Sequence, residues 1–253
     1  MTQYSTKLII ILILPIFFFA CSSDKDENGE LAPSDFPIEE IMQEDVSFMV
    51  LSLEKYDEEL EVFLIMYLKE SPQDVTVKIA GNTISLEGFQ NYYFAAIDLV
   101  PGQDISYELE IDNKNISGSL SVPDLIQGSF PESFDLDSDY TFSWTTSEDP
   151  TIFVAFLEIE LDDDWIESGI VLQGNSRNHS FSKDNYSGLS EEEIWYVEAG
   201  VAAIDFEIRD DMVFIASTSD YQEYDFFENF MSKMEERSNN HEFKGRFPSF
   251  LLK

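Results

Sequence analysis

Apolar and polar positions alternate with period two through most of residues 46–217, the pattern of strands that show one face to a core and the other to solvent. In the first half, Val75, Val77 and Ile79 alternate with Thr76 and Lys78. Residues 83–86 mirror them across Gly81-Asn82, a pair that accepts positive φ and so predicts a two-residue hairpin turn. Residues 60–68 (LEVFLIMYL) are apolar on both faces, as expected of a central strand covered on two sides. Residues 92–99 and 105–111 flank a Pro101-Gly102 turn, and Asp112-Asn113-Lys114-Asn115 leads into residues 116–122. About seven short strands at turn-punctuated intervals predict an antiparallel β-sandwich over 45–123.

The second half repeats the theme in residues 140–145 (YTFSWT) and 152–161 (IFVAFLEIEL), separated by Ser147-Glu148-Asp149-Pro150. Residues 181–189, 195–206 and 212–217 supply further strands. The spacing of the first two strands and the placing of Trp144 resemble the second and third strands of a fibronectin type III domain, over about residues 136–217. That resemblance implies a fold and no activity, because sandwich folds host many unrelated functions. The fold expected is therefore all-β, with two antiparallel immunoglobulin- or fibronectin III-like sandwiches at 45–123 and 124–253. A single C-terminal amphipathic helix is expected at 219–237, opened by a Ser219/Gln222 capping box and by Asp220 and Glu223, and closed by Lys233 and Arg237. Its stripe of Tyr224, Phe227, Met231 and Met234 is expected to pack on the second sandwich, and residues 243–253 to return as an edge strand.

Ahead of these units the pattern breaks into one unbroken apolar run at 8–19 behind Lys7, followed by Ala20 and Cys21. The run falls short of the roughly 20 apolar residues a membrane span needs and fits the core of a secretory signal peptide at 1–20. Phe18-Phe19-Ala20-Cys21 resembles a bacterial lipobox, with Phe18 where leucine is usual. The resemblance implies that Cys21 becomes the lipidated first residue of the mature chain. Several acyl chains, at about 0.8 kcal/mol per buried methylene, then hold it in a bilayer. Ser22-Ser23-Asp24-Lys25-Asp26-Glu27 resembles the acidic tract that sends Bacteroidota-type lipoproteins to the outer face of the outer membrane. Residues 21–44 are rich in Ser, Asp, Glu and Pro and read as a tether with a reach of about 25 Å.

Charge removes one class of partner. A formal net charge of −37 repels nucleic-acid backbones, whose binding rests on clustered lysine and arginine. With 43% hydrophobic residues and 22 phenylalanines the chain has ample material for packed cores. One cysteine leaves no internal disulfide. No catalytic residues emerge. His179 and His241, the two histidines, lack partners at metal-ligand spacing and read as solvated loop residues, and there is no nucleophile elbow or phosphate loop. Carboxylates are too abundant for any one pair to mark a glycoside hydrolase, the least favoured reading.

Two candidate ligand sites remain. Asp135, Asp137 and Asp139 alternate like the opening of an EF-hand loop, but Tyr140 and Thr146 stand where its glycine and glutamate belong. That leaves a looser interstrand calcium site as the cofactor reading, beside the covalent lipid on Cys21. Trp165, directly after Asp162-Asp163-Asp164, is the best candidate for an exposed stacking ring. Trp165 with Asp163 and Asp164 is thus the candidate ligand site, whereas Trp144 and Trp195 read as core. The leading expectation is a non-catalytic adhesion or accessory protein, held to the lipid bilayer and meeting a protein or carbohydrate ligand at the cell exterior. A carbohydrate-binding component of a glycan-uptake system is the alternative.

Overall fold

The computed structural model describes residues 47–226, except 57–58, 73, 90, 162–164 and 211; at 54–56, 59–61 and 89 it describes the backbone alone. The expected signal peptide, Cys21, the tether, Asp163, Asp164, His241 and everything after Phe226 lie outside the described residues. Within them the chain is all-β.

The first half forms β1 (Ser47–Tyr56), β2 (Glu59–Tyr67), β3 (Val75–Ile79), β4 (Asn82–Ile84), β5 (Glu87–Phe89), β6 (Tyr92–Ala96), β7 (Asp104–Ile111) and β8 (Lys114–Ser121). The second forms β9 (Gln127–Ser129), β10 (Tyr140–Thr145), β11 (Ile152–Leu161), β12 (Trp165–Gln173), β13 (Asn178–Phe181), β14 (Ile194–Arg209) and β15 (Met212–Asp225). They build an eight-stranded sheet in the order β12-β11-β14-β15-β1-β2-β6-β5, a four-stranded sheet β4-β3-β7-β8 and a three-stranded sheet β13-β10-β9.

Both small sheets lie on one face of the large one. In β15, Phe214 and Ala216 enter a core with Met49, Leu51, Leu64, Val77, Tyr107 and Leu109, closed by the four-stranded sheet. Tyr224, of the same parity in the same strand, enters a second core with Phe142, Trp144, Phe153, Val197 and Val201, closed by the three-stranded sheet. Period two along β15 therefore puts the two cores side by side on one surface. Tyr107 stacks on Phe214 with ring centroids 4.2 Å apart. Trp144, expected in the core, is 2% exposed. Each large apolar side chain buried in this way contributes about 1.5–3 kcal/mol.

Several local expectations are corrected. The first hairpin turns at Ala80-Gly81, one residue earlier than expected, because Ile79 pairs with Asn82. Ala80 and Gly81 take φ of 49° and 79°, so the alternation of the flanking strands sets the register, and a non-glycine residue accepts the left-handed conformation. Residues 181–189 are not a strand but the end of β13 followed by a 3-10 turn at Lys183–Tyr186, which seats Tyr186 in the second core. His179 is not a solvated loop residue: it lies in β13 against Phe181 at 4.6 Å, and burial pushes its pKa down to about 4.

The expected helix does not begin at Ser219. Ser219 to Asp225 continue β15, paired residue by residue with Tyr196 to Ala202 of β14. A capping box is a local signal worth about 1 kcal/mol, and here a 16-residue apolar neighbour strand offers a longer ladder plus burial of Tyr224. The remainder of the expected helix, 227–237, lies outside the described residues.

The large sheet is mixed rather than antiparallel. β1 runs parallel to β15, from Ser47 opposite Met212 to Glu54 opposite Ser219, so the first and last of the described strands meet in the middle of the sheet. The first core takes Met212, Phe214 and Ala216 from beyond 123–124, and the large sheet likewise draws strands from both sides of that passage.

Candidate binding face

The opposite face of the large sheet carries its most unusual chemistry. In β11, Phe153, Ala155, Leu157 and Ile159 point into the second core, which sends Glu158 and Glu160 to the other side. Glu158 pairs directly with Glu167 of β12 and Glu198 of β14, and Glu198 pairs with Glu223 of β15. Four glutamates therefore stand in one line across four strands. Directly opposed residues hold their Cβ atoms about 4.5–5.5 Å apart, and like charges at that spacing repel.

The line is not a row of four full charges. Burial, then the carboxylates of Glu167 and Glu160, push the Glu158 carboxyl up to about 7. Burial also raises Glu167. Glu198 is 3% exposed and accepts a hydrogen bond from the Tyr196 hydroxyl at 3.1 Å. Tyr196 is itself held neutral, by burial first and then by the charge of Glu198. Protonated and ionised carboxyls side by side offer hydrogen-bond donors and acceptors together.

The neighbouring line runs Trp165, Glu160, Tyr196, Asp225 in direct register. Trp165 opens β12 at the sheet edge and is 53% exposed. Its proposed partners Asp163 and Asp164 fall outside the described residues; the carboxylate the register sets beside it is Glu160. Toward the far end of the same face Phe48, Tyr67, Tyr92 and Phe94 form an aromatic run with successive centroids 5.6, 4.9 and 6.4 Å apart.

The aspartate triad sits elsewhere, in the loop before β10. Asp135 accepts from the Asp137 amide at 2.9 Å and the Ser138 hydroxyl at 3.0 Å, which lowers its pKa. Asp139 accepts from the Lys183 amide at 2.9 Å. These contacts secure the loop to the 3-10 turn, and among the described residues no three carboxylate, histidine or cysteine groups are placed to hold a metal.

The glutamate line was missed in the sequence because its members are far apart in the chain. A signal existed: Glu158 and Glu160 interrupt the otherwise apolar IFVAFLEIEL, and Glu198 interrupts a run that is buried almost throughout. A scan against protein-family models finds no match, and a search of curated proteins finds no similar chain.

Proposed function

We propose that this chain is a lipid-anchored outer-membrane protein of the Bacteroidota type, non-catalytic, with immunoglobulin- or fibronectin III-like β-sandwich units that present a binding surface to the cell exterior. The observation that carries the binding reading is Trp165, half exposed on the sheet edge beside Glu160 and next to the glutamate line. An exposed indole beside carboxylates stacks on and hydrogen-bonds to a ligand rich in hydroxyl groups. The anchoring half rests on the residues around Cys21. In a Bacteroidota host, the full chain is expected to take up labelled palmitate and to lose surface exposure when Cys21→Ser is introduced. Equal labelling of both forms overturns the anchor.

The same constellation favours a second, narrower reading, a carbohydrate-binding component of a glycan-uptake system. A panel of oligosaccharides is expected to contain at least one that quenches tryptophan fluorescence in the native chain and fails to do so in Trp165→Ala. No response to any saccharide overturns this reading and leaves a protein ligand.

A further inference from the structure

Among the described strands, the four-stranded sheet ends at β8. Val122 donates its amide to the Gln103 carbonyl, which makes 103 and 122 a hydrogen-bonded pair at the head of the β7/β8 ladder. Such pairs recur at every second residue of an antiparallel ladder. Ile105, Tyr107 and Leu109 therefore exchange both their bonds with Leu120, Gly118 and Ile116. The residues between, Asn115, Ser117, Ser119 and Ser121, turn their backbone N–H and C=O groups away from β7, along the outer edge of β8. All four are exposed.

An edge of this kind is a template for another strand. Residues 115–121 (NISGSLS) hold no charge and no proline to deter one, in a chain in which 26% of residues are charged. The deterrent comes from the β14–β15 hairpin. Arg209, the last residue of β14, donates from Nη1 to the Ser117 carbonyl at 2.6 Å, so a guanidinium occupies an outward acceptor that a partner strand would need. Its Nη2 is held by the Glu207 carboxylate at 3.2 Å, and Glu207 in turn accepts a hydrogen bond from the Tyr107 hydroxyl. Gly118 leaves room for this arrangement, since a Cβ there would strike both the Glu207 carboxylate and the Tyr107 hydroxyl. Lys114, at the start of β8, donates to the Asp210 carbonyl at 3.0 Å and draws the same hairpin against the strand.

We infer that Arg209, braced by Glu207 and Lys114, guards the outer edge of β8 against antiparallel pairing with β8 of a second copy. The edge fits itself. A two-fold axis through Gly118 sets Ser117 opposite Ser119 and Asn115 opposite Ser121, with the outward backbone groups of each facing the partner. None of these residues is charged, so the two strands meet without like-charge repulsion across the ladder. Pairing requires Arg209 to give up the Ser117 carbonyl, and the two-fold makes the same demand of the second copy. The guard therefore acts twice at one interface.

Size-exclusion chromatography with light scattering, on the full chain in detergent over a range of concentrations, tests the guard. Lys114→Ala/Arg209→Ala is expected to move toward twice the native mass as concentration rises, with far-UV circular dichroism unchanged. Adding Ser119→Pro is expected to restore the native mass, because the amide of that residue faces outward and its loss breaks only the ladder between copies. A double variant whose mass follows the native chain at every concentration overturns the inference. Association that Ser119→Pro fails to reverse also overturns it, because the copies then meet through unfolded chain or another surface.

Discussion

A carboxyl enclosed among other carboxyls keeps its proton, and Glu158 is in that position. The folded chain holds the proton up to about pH 7, whereas the unfolded chain releases it near 4.5. Between those values folding takes up a proton, so stability falls as pH rises across the window, by at most about 3 kcal/mol. His179 works in the opposite direction. Its folded pKa of about 4 lies below its ordinary 6.5, so its contribution is present above 6.5 and is lost as pH falls through 4. Glu158→Gln is therefore expected to raise Tm at pH 8 and leave it nearly unchanged at pH 4.5, and His179→Phe to soften the acid side only. A Glu158→Gln gain of equal size at both pH values shows that the carboxyl acts through packing rather than ionisation.

At the scale of strands, the glutamate face depends on close backbone approach. Gly200 of β14 lies one line from Glu198, between Phe156 of β11 and Tyr221 of β15. A Cβ added there would stand 2.5 Å from the Phe156 ring, 2.7 Å from the Tyr221 Cβ and 2.8 Å from the Asp220 carbonyl oxygen. Two of the three obstacles are backbone or next to it, and both belong to β15, which cannot swing clear without moving its chain. Gly200→Val is expected to cost on the order of 2–3 kcal/mol in urea denaturation; a loss below about 0.5 kcal/mol means β14 and β15 can part here without consequence. β15 shows how far an element can depart from its local signals. Residues 219–225 carry helix-start chemistry, yet β14 on one flank recruits all of them as strand and β1 on the other pairs as far as Ser219. The hairpin at Ala80-Gly81 makes the same point in miniature, since pairing partners decide the turn before turn preference does.

At the scale of the whole molecule, β14, β15 and β1 tie two cores to one sheet. All three tryptophans, Trp144 of β10, Trp165 of β12 and Trp195 of β14, lie in strands of the second half, so their fluorescence follows that half while far-UV circular dichroism follows every strand. The two signals are expected to unfold together, and Leu51→Ala in the first core, at 0% exposure, to shift both by about 2–5 kcal/mol. Separate transitions would mean that the sheet does not transmit the loss. Most of the strands, the burial of Trp144 and the exposure of Trp165 were legible in the sequence, because alternation and bulk act within one element. The glutamate line and the parallel pairing of β1 with β15 were not. Each depends on which strands become neighbours, and burial of residues far apart in the chain settles that. By itself the sequence determined an all-β chain with enough apolar side chains for its cores. Only the tertiary structure decided that the carboxylates would gather on one face, because pairing aligns positions the chain keeps up to 65 residues apart.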